Sequence, residues 1–237
     1  MFTRRDPEHI DETSVSGRLN ALRAGVLGAN DGIVSMAGLV IGVAAAAPEN
    51  HAAILTAGIA GLVAGALSMG VGEYVSVSSQ RDAESEQLRR ERRWHRKRPE
   101  WELEQLVQLN MDTGMSEATA RAAAVEQTAH DPVSIHARMH LGIDPNELTN
   151  PWHAGIASLI AFTLGGLLPV LMILLPPPAY QVPVTFAAVA IALAATGYTS
   201  ARLAHSSYRR AIIRNVLGGS LAMAITYGIG HLVGVAV

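Results

Sequence analysis

The 237-residue chain contains no cysteine, and lysine occurs only once, at Lys97. The first absence excludes a disulfide framework and any thiolate metal site. The second leaves arginine to carry almost every fixed positive charge. Charged residues are only 16 % of the chain and the formal net charge is −2, so nothing in the charge balance calls for nucleic acid, and no such partner is expected. An apolar leader is also missing. Residues 1–20 are polar and charged, which predicts no cleavable signal peptide and leaves membrane targeting to the first apolar segment.

What is abundant is apolar: 49 % of residues are hydrophobic, and they fall in blocks instead of interleaving with period 2 or 3.6 as in a soluble domain. Five blocks could cross a bilayer as helices, at about 24–47, 53–77, 154–175, 184–201 and 215–236. Pro48-Glu49-Asn50-His51 forms a tight turn between the first two, which predicts a helical hairpin. Pro176-Pro177-Pro178 ends the third block, and Gln181-Val182-Pro183 closes a short loop before the fourth. Gly28/Gly32, Gly38/Gly42 and Gly61/Gly65 are spaced by four, with Gly58 on the last pair's face. Such faces let helix backbones approach closely. They fit packing within one chain or a subunit interface built on the first span.

Residues 80–150 are different material. Gln80 to Glu104 is dense in Arg and Glu with few apolar residues. Pro99 predicts a break into two helices, because the residue before proline disfavours helix. Gly114 marks a turn, Ser116 is a candidate N-cap for a third helix, and Asp131-Pro132 and Asp144-Pro145 are further breakpoints. This predicts a small soluble helical domain inserted between spans two and three. Arginine placement sets orientation, since short Arg-rich segments stay cytoplasmic. Residues 4–23, 81–98 and 202–214 are rich in Arg, whereas the turns at 48–52 and 176–183 have none. Five spans follow, with the N-terminus and residues 80–150 inside and the C-terminus outside.

Two acids lie in apolar surroundings. Asn30 and Asp31 sit inside the first block, where an ionisable side chain costs roughly 2.5–3.5 kcal/mol on insertion scales. A carboxylate there needs a partner, a proton or a cation, and neither of the first two spans contains a basic residue. The plain alternative is a structural acid satisfied by Asn30, Ser35 or a nearby Arg. In the second block Met69 and Glu73 are four apart, one above the other on a helix, and Ser76 and Gln80 continue that face. A thioether over a carboxylate moves preference from Mg²⁺ and Ca²⁺ toward later first-row metals; otherwise Met69 is lipid-facing filler. Glu84, Glu91, Glu100, Glu102 and Glu104 could converge on a metal from adjacent helices or form a solvated face paired with Arg. His136 and His140 are spaced to reach one metal, a spacing also common by chance.

Asn30-Asp31-Gly32-Ile33-Val34-Ser35, Ser68-Met69, Gly72-Glu73-Tyr74-Val75-Ser76 and Ser78-Ser79-Gln80-Arg81-Asp82 stand in order along the chain. Leu141-Gly142-Ile143-Asp144, Asn150-Pro151-Trp152 and Thr226-Tyr227-Gly228-Ile229-Gly230 follow. Together, over about residues 18–235, they resemble the vacuolar iron transporter family of yeast, plants and apicomplexans, with its many bacterial members. The resemblance implies an all-α membrane protein, a homodimer of five-span subunits with the ion path between the two copies of span one. It implies export of Fe²⁺, and often Mn²⁺, from the cytoplasm in exchange for protons. Asp31 and Met69 stand where the family places transmembrane metal ligands, with Asn30 alongside, and Glu73 matches a Glu near the cytoplasmic mouth. The insert resembles the family's cytoplasmic metal-binding domain, with Glu84, Glu91, Glu100, Glu102, Glu104, His136 and His140 as candidate ligands.

No tightly bound cofactor is expected; Fe²⁺ and Mn²⁺ are cargo, and Zn²⁺ is also admitted at the insert. One departure stands out. His140 replaces a Glu that family members usually carry before Leu-Gly, and His136-Ala137 stand where some eukaryotic members have a Met pair. Imidazole for carboxylate favours a later metal, or loading sensitive to pH near neutrality. The expected organisation is a cytoplasmic lead (1–20), spans one and two (21–79), the helical metal-binding domain (80–150) and spans three to five (151–237), in the inner (plasma) membrane of a bacterial cell. The competing classes are a membrane-anchored di-iron ferroxidase or metal-storage protein, and a membrane adaptor without transport. The first wants Glu-x-x-His pairs on two helices, and the insert has none.

Overall fold

The computed structural model describes residues 12–146 and 148–236, with side chains from residue 22 onward; the first eleven residues of the expected lead lie outside it. No strand occurs among the described residues. The helices are α1 (Glu12–Ala46), α2 (His51–Lys97), α3 (Pro99–Asp112), α4 (Glu117–His130), α5 (Pro132–His136), α6 (Pro151–Leu174), α7 (Gln181–Leu203) and α8 (Tyr208–Ala236). A π-helical turn spans Ala137–Leu141 and a 3-10 turn Pro178–Tyr180. Five helices are long and apolar enough to cross a membrane, beginning at Leu22, His51, Pro151, Pro178 and Tyr208. The chain divides into two compact units: one contains Ser76–Asn150, the other Arg18–Val75 and Pro151–Val237.

In the apolar unit α1 is the most enclosed helix, with 44 % of its apolar window buried against 17 % for α8. Met36, Ala37, Val40 and Ile41 of α1 join Ile54 of α2, Phe162 and Ile173 of α6, Val189 and Leu193 of α7 and Met223 of α8 in one core. Leu164, Ile191 and Leu232 are largely exposed, as side chains facing lipid would be. The spaced glycines meet neighbouring helices of the same chain. A Cβ on Gly28 would lie 2.7 Å from the Ser158 carbonyl oxygen of α6, and one on Gly32 would overlap the Phe162 carbonyl. Gly38 and Gly42 face Thr226 of α8, and Gly61 faces Leu39 and Met36 of α1. Packing inside one subunit is one use that these faces have.

The last helix begins before the apolar block that marks the fifth span. α8 starts at Tyr208, so Arg209, Arg210 and Arg214 occupy its first two turns. Arg214 is thereby fixed to a helix that enters the apolar unit.

The second unit is a helical fold around Leu106, Val107, Ala120 and Ala124, with Leu103, Leu109, Met111, Ile135 and Met139 packed against them. Proline sets its first corner: α2 stops at Lys97, Arg98 takes φ −142°, and Pro99 opens α3. Trp94 and Trp101 meet edge to face across that corner, ring centroids 6.4 Å apart. Gly114 turns the chain at φ +99°, which disfavours a side chain. Ser116 caps α4 by accepting from the Thr119 amide, and Asp131 caps α5 from the Ser134 amide. Buried Asn110 donates to Gln127 at 2.9 Å, tying α3 to α4.

Candidate functional site

In the Ser76–Asn150 unit, three helices bring four ligand-bearing side chains together. Glu91 and His95 lie one turn apart on α2, Glu102 sits in the first turn of α3, and His136 ends α5. One ligand atom from each lies within 4.8 Å of all the others. His136 Nδ1 is bonded to Glu91 Oε1 and lies 3.0 Å from Glu102 Oε2, while His95 Nε2 is 3.5 Å from Glu91 Oε1. Glu91, Glu102 and His136 are each only 1 % exposed. Carboxylates are almost never buried so completely without a compensating partner.

Compensation inside the protein is incomplete. Six buried side-chain polar atoms lack a hydrogen-bond partner among the described residues, and four belong to this cluster: His95 Nε2, Glu102 Oε1 and Oε2, and His136 Nε2. Burial first and the Glu91 charge second push the Glu102 carboxyl up to about 7. Burial first and His136 second hold the His95 imidazole below its ordinary range, against the pull of Glu91. A neutral imidazole is the ligand form of histidine. Two carboxylates and two imidazoles make an O₂N₂ donor set whose double negative charge a divalent cation would cancel. That mixture suits Fe²⁺, Mn²⁺ or Zn²⁺ better than Mg²⁺ or Ca²⁺.

Of the candidates read from sequence, Glu91, Glu102 and His136 meet here. His140 does not enter the donor set; the π-helical turn places its ring on His136, centroids 5.3 Å apart, with its own side chain exposed. Glu84 accepts from Gln80 at 2.8 Å, Glu104 pairs with Arg121 at 2.9 Å, and Glu100 is exposed. His95 is the member that sequence reasoning passed over. Its signal is Glu91 and His95 at i and i+4, but the pair lies inside an Arg-rich run and departs from the Glu-x-x-His spacing of di-iron helices.

In the apolar unit, Asn30, Asp31 and Met69 line one cavity of about 320 Å³ with Leu27, Val34, Arg214, Asn215, Gly218 and Gly219. α1, α2 and α8 each contribute to its wall. Glu73, one turn beyond Met69 and half-buried, is not in the lining. Asn30 accepts from Thr196 of α7 at 3.5 Å. A second cavity, about 410 Å³, adjoins the first through Leu27, Asn30 and Asn215, with Ser200, Leu203 and Ala204 in its wall.

A profile of the VIT family matches residues 22–231. The chain belongs to the VIT family. It is 39 % identical over 220 residues to the vacuolar iron transporter of Acanthamoeba castellanii, covering 92 % of this chain and 81 % of that protein. It is 34 % identical over 227 residues to vacuolar iron transporter homolog 2.1 of Arabidopsis thaliana (95 % and 87 % covered). It is 38 % identical over 216 residues to vacuolar iron transporter homolog 2 of Oryza sativa subsp. japonica (91 % and 92 % covered). These VIT relatives are named as transporters, not enzymes.

Proposed function

We propose that this VIT-family chain exports Fe²⁺, Mn²⁺ or both from the cytoplasm in exchange for protons, as a homodimer in the inner (plasma) membrane of a bacterial cell. Residues 80–150 and the N-terminus face the cytoplasm in this reading, and the insert collects metal at Glu91, His95, Glu102 and His136. The observation that carries it is the meeting of Asp31 and Met69 in one cavity walled by three membrane-length helices. A carboxylate and a thioether there offer a divalent transition metal one hard and one soft ligand. Metal and proton compete for the same carboxylate, the least device that couples their movements. The names of the relatives support iron as cargo.

The test is flux. The full chain in liposomes, given Mn²⁺ outside and an imposed pH gradient, is expected to accumulate the ion. Asp31→Asn, similar in shape without the charge, is expected to lose roughly tenfold or more of the rate. Transport by that variant at the parent rate, with unchanged pH dependence, overturns the mechanism. Fe²⁺ oxidation without flux marks a ferroxidase; neither activity marks an adaptor.

A further inference from the structure

One residue in the transmembrane cavity has no place in a metal-ligand set. Arg214 lines it beside Asp31, Asn30 and Met69, on the helix that also supplies Asn215, Gly218 and Gly219. A guanidinium cannot ligate a metal and does not lose its proton in proteins. Neither the Arg214 guanidinium nor the Asp31 carboxylate has a hydrogen bond or ion pair among the described residues. The cavity thus holds one mobile-cation ligand of negative charge and one fixed positive charge, in walls otherwise built from Leu, Val, Met, Asn and Gly. Both charged side chains are exposed in the single chain, but they sit on membrane-length helices, and charges interact more strongly beside lipid than in water. A guanidinium and a divalent cation therefore compete for one carboxylate.

We propose that Arg214 is the internal counter-cation of the transport site: it weakens the hold of Asp31 on a bound divalent ion and takes over the carboxylate as the ion leaves. The inference rests on the transporter reading above and adds a release step to it. Without Arg214 the ion binds Asp31 more tightly and departs more slowly. The signature is a split that general damage does not produce: apparent affinity improves while maximal rate falls.

The experiment is initial-rate Mn²⁺ uptake by the full chain in liposomes over a range of Mn²⁺ concentrations. R214Q is expected to lower KM by roughly tenfold and to lower the maximal rate by a similar factor. R214K, which keeps the charge without the planar fork, is expected to return KM to within about threefold of the parent. Because the chain lacks cysteine, R214C can also be modified after reconstitution: a cationic methanethiosulfonate should raise KM again, and a neutral one of similar size should not. An unchanged or higher KM in R214Q overturns the proposal, as does R214K behaving like R214Q. Failure of every position-214 variant to insert assigns Arg214 to folding and overturns it equally. Absence of Mn²⁺ uptake by the parent chain is a different result, and it refutes the transporter reading.

Discussion

Glu102→Gln should change the sign of its effect on stability when metal is added. In the metal-free protein the Glu102 carboxyl titrates near 7, against 4.5 for a free Glu. Its folded form therefore holds the proton more tightly than the unfolded chain does. The resulting stability is full below about 4.5 and is lost as pH rises through about 7. At about 1.4 kcal/mol per pH unit, deprotonating it at pH 8 costs about 3 kcal/mol. His95 works in the other direction, since its folded imidazole resists the proton. Its contribution is present above 6.5 and fades as pH falls below that value. Above 6.5, only the Glu102 slope remains.

Gln keeps the shape of Glu102 and carries no charge at any pH. In chelator at pH 8, E102Q should be more stable than the parent by about 3 kcal/mol, and the two should converge near pH 5. With saturating Mn²⁺ the order should reverse, because the parent gains a ligand that the variant lacks. The assay is thermal unfolding of the full chain in detergent, followed by Trp94 and Trp101 fluorescence in a W152F background. A parent that remains the more stable protein in chelator at pH 8, or a Mn²⁺ response identical in both, refutes the buried-ligand assignment.

H95A should weaken Mn²⁺ binding to the full chain by roughly tenfold or more in calorimetry, whereas E84Q and E104Q, whose carboxylates are engaged by Gln80 and Arg121, should change it less than about twofold. G32V should collapse folding yield and lower the melting temperature in detergent, since even a Cβ there overlaps the Phe162 carbonyl; G72A, with open space around it, should do neither. In intact cells a single cysteine at Gln108 should resist an impermeant thiol reagent and one at Asn50 should react; labelling at 108 from outside would overturn the proposed topology.

Much of the fold was legible because membrane-length helices announce themselves by composition alone. Pro99, Gly114, Ser116 and Asp131 act locally, so the corners of the insert could be read one residue at a time. The start of α8 was not legible. Composition marks where a helix becomes apolar, not where it begins, and Arg209 to Arg214 read equally well as loop or as early helical turns. That ambiguity hid Arg214 from the Asp31 cavity, because the two residues stand 183 apart in sequence and only the packing of α8 against α1 brings them to one wall. Burial was the other hidden quantity. Glu91, Glu102 and Glu104 look alike in an Arg-rich run, and only the packing of α3 and α5 against α2 separates the two enclosed acids from the one held by Arg121.

The seam between α1 and its neighbours has a mechanical consequence. Where Gly28, Gly32 and Gly165 meet backbone on the facing helix, no large side chain is wedged between the two at those points. Interlocked knobs must unpack before helices can shift past one another; two smooth ridges need not. At these points the seam itself offers no side-chain knob to oppose movement along the helix axes. Any axial shift of α1 would carry Asp31 with it, and its resistance would come from Met36, Val40 and Ile41 in the core rather than from this seam.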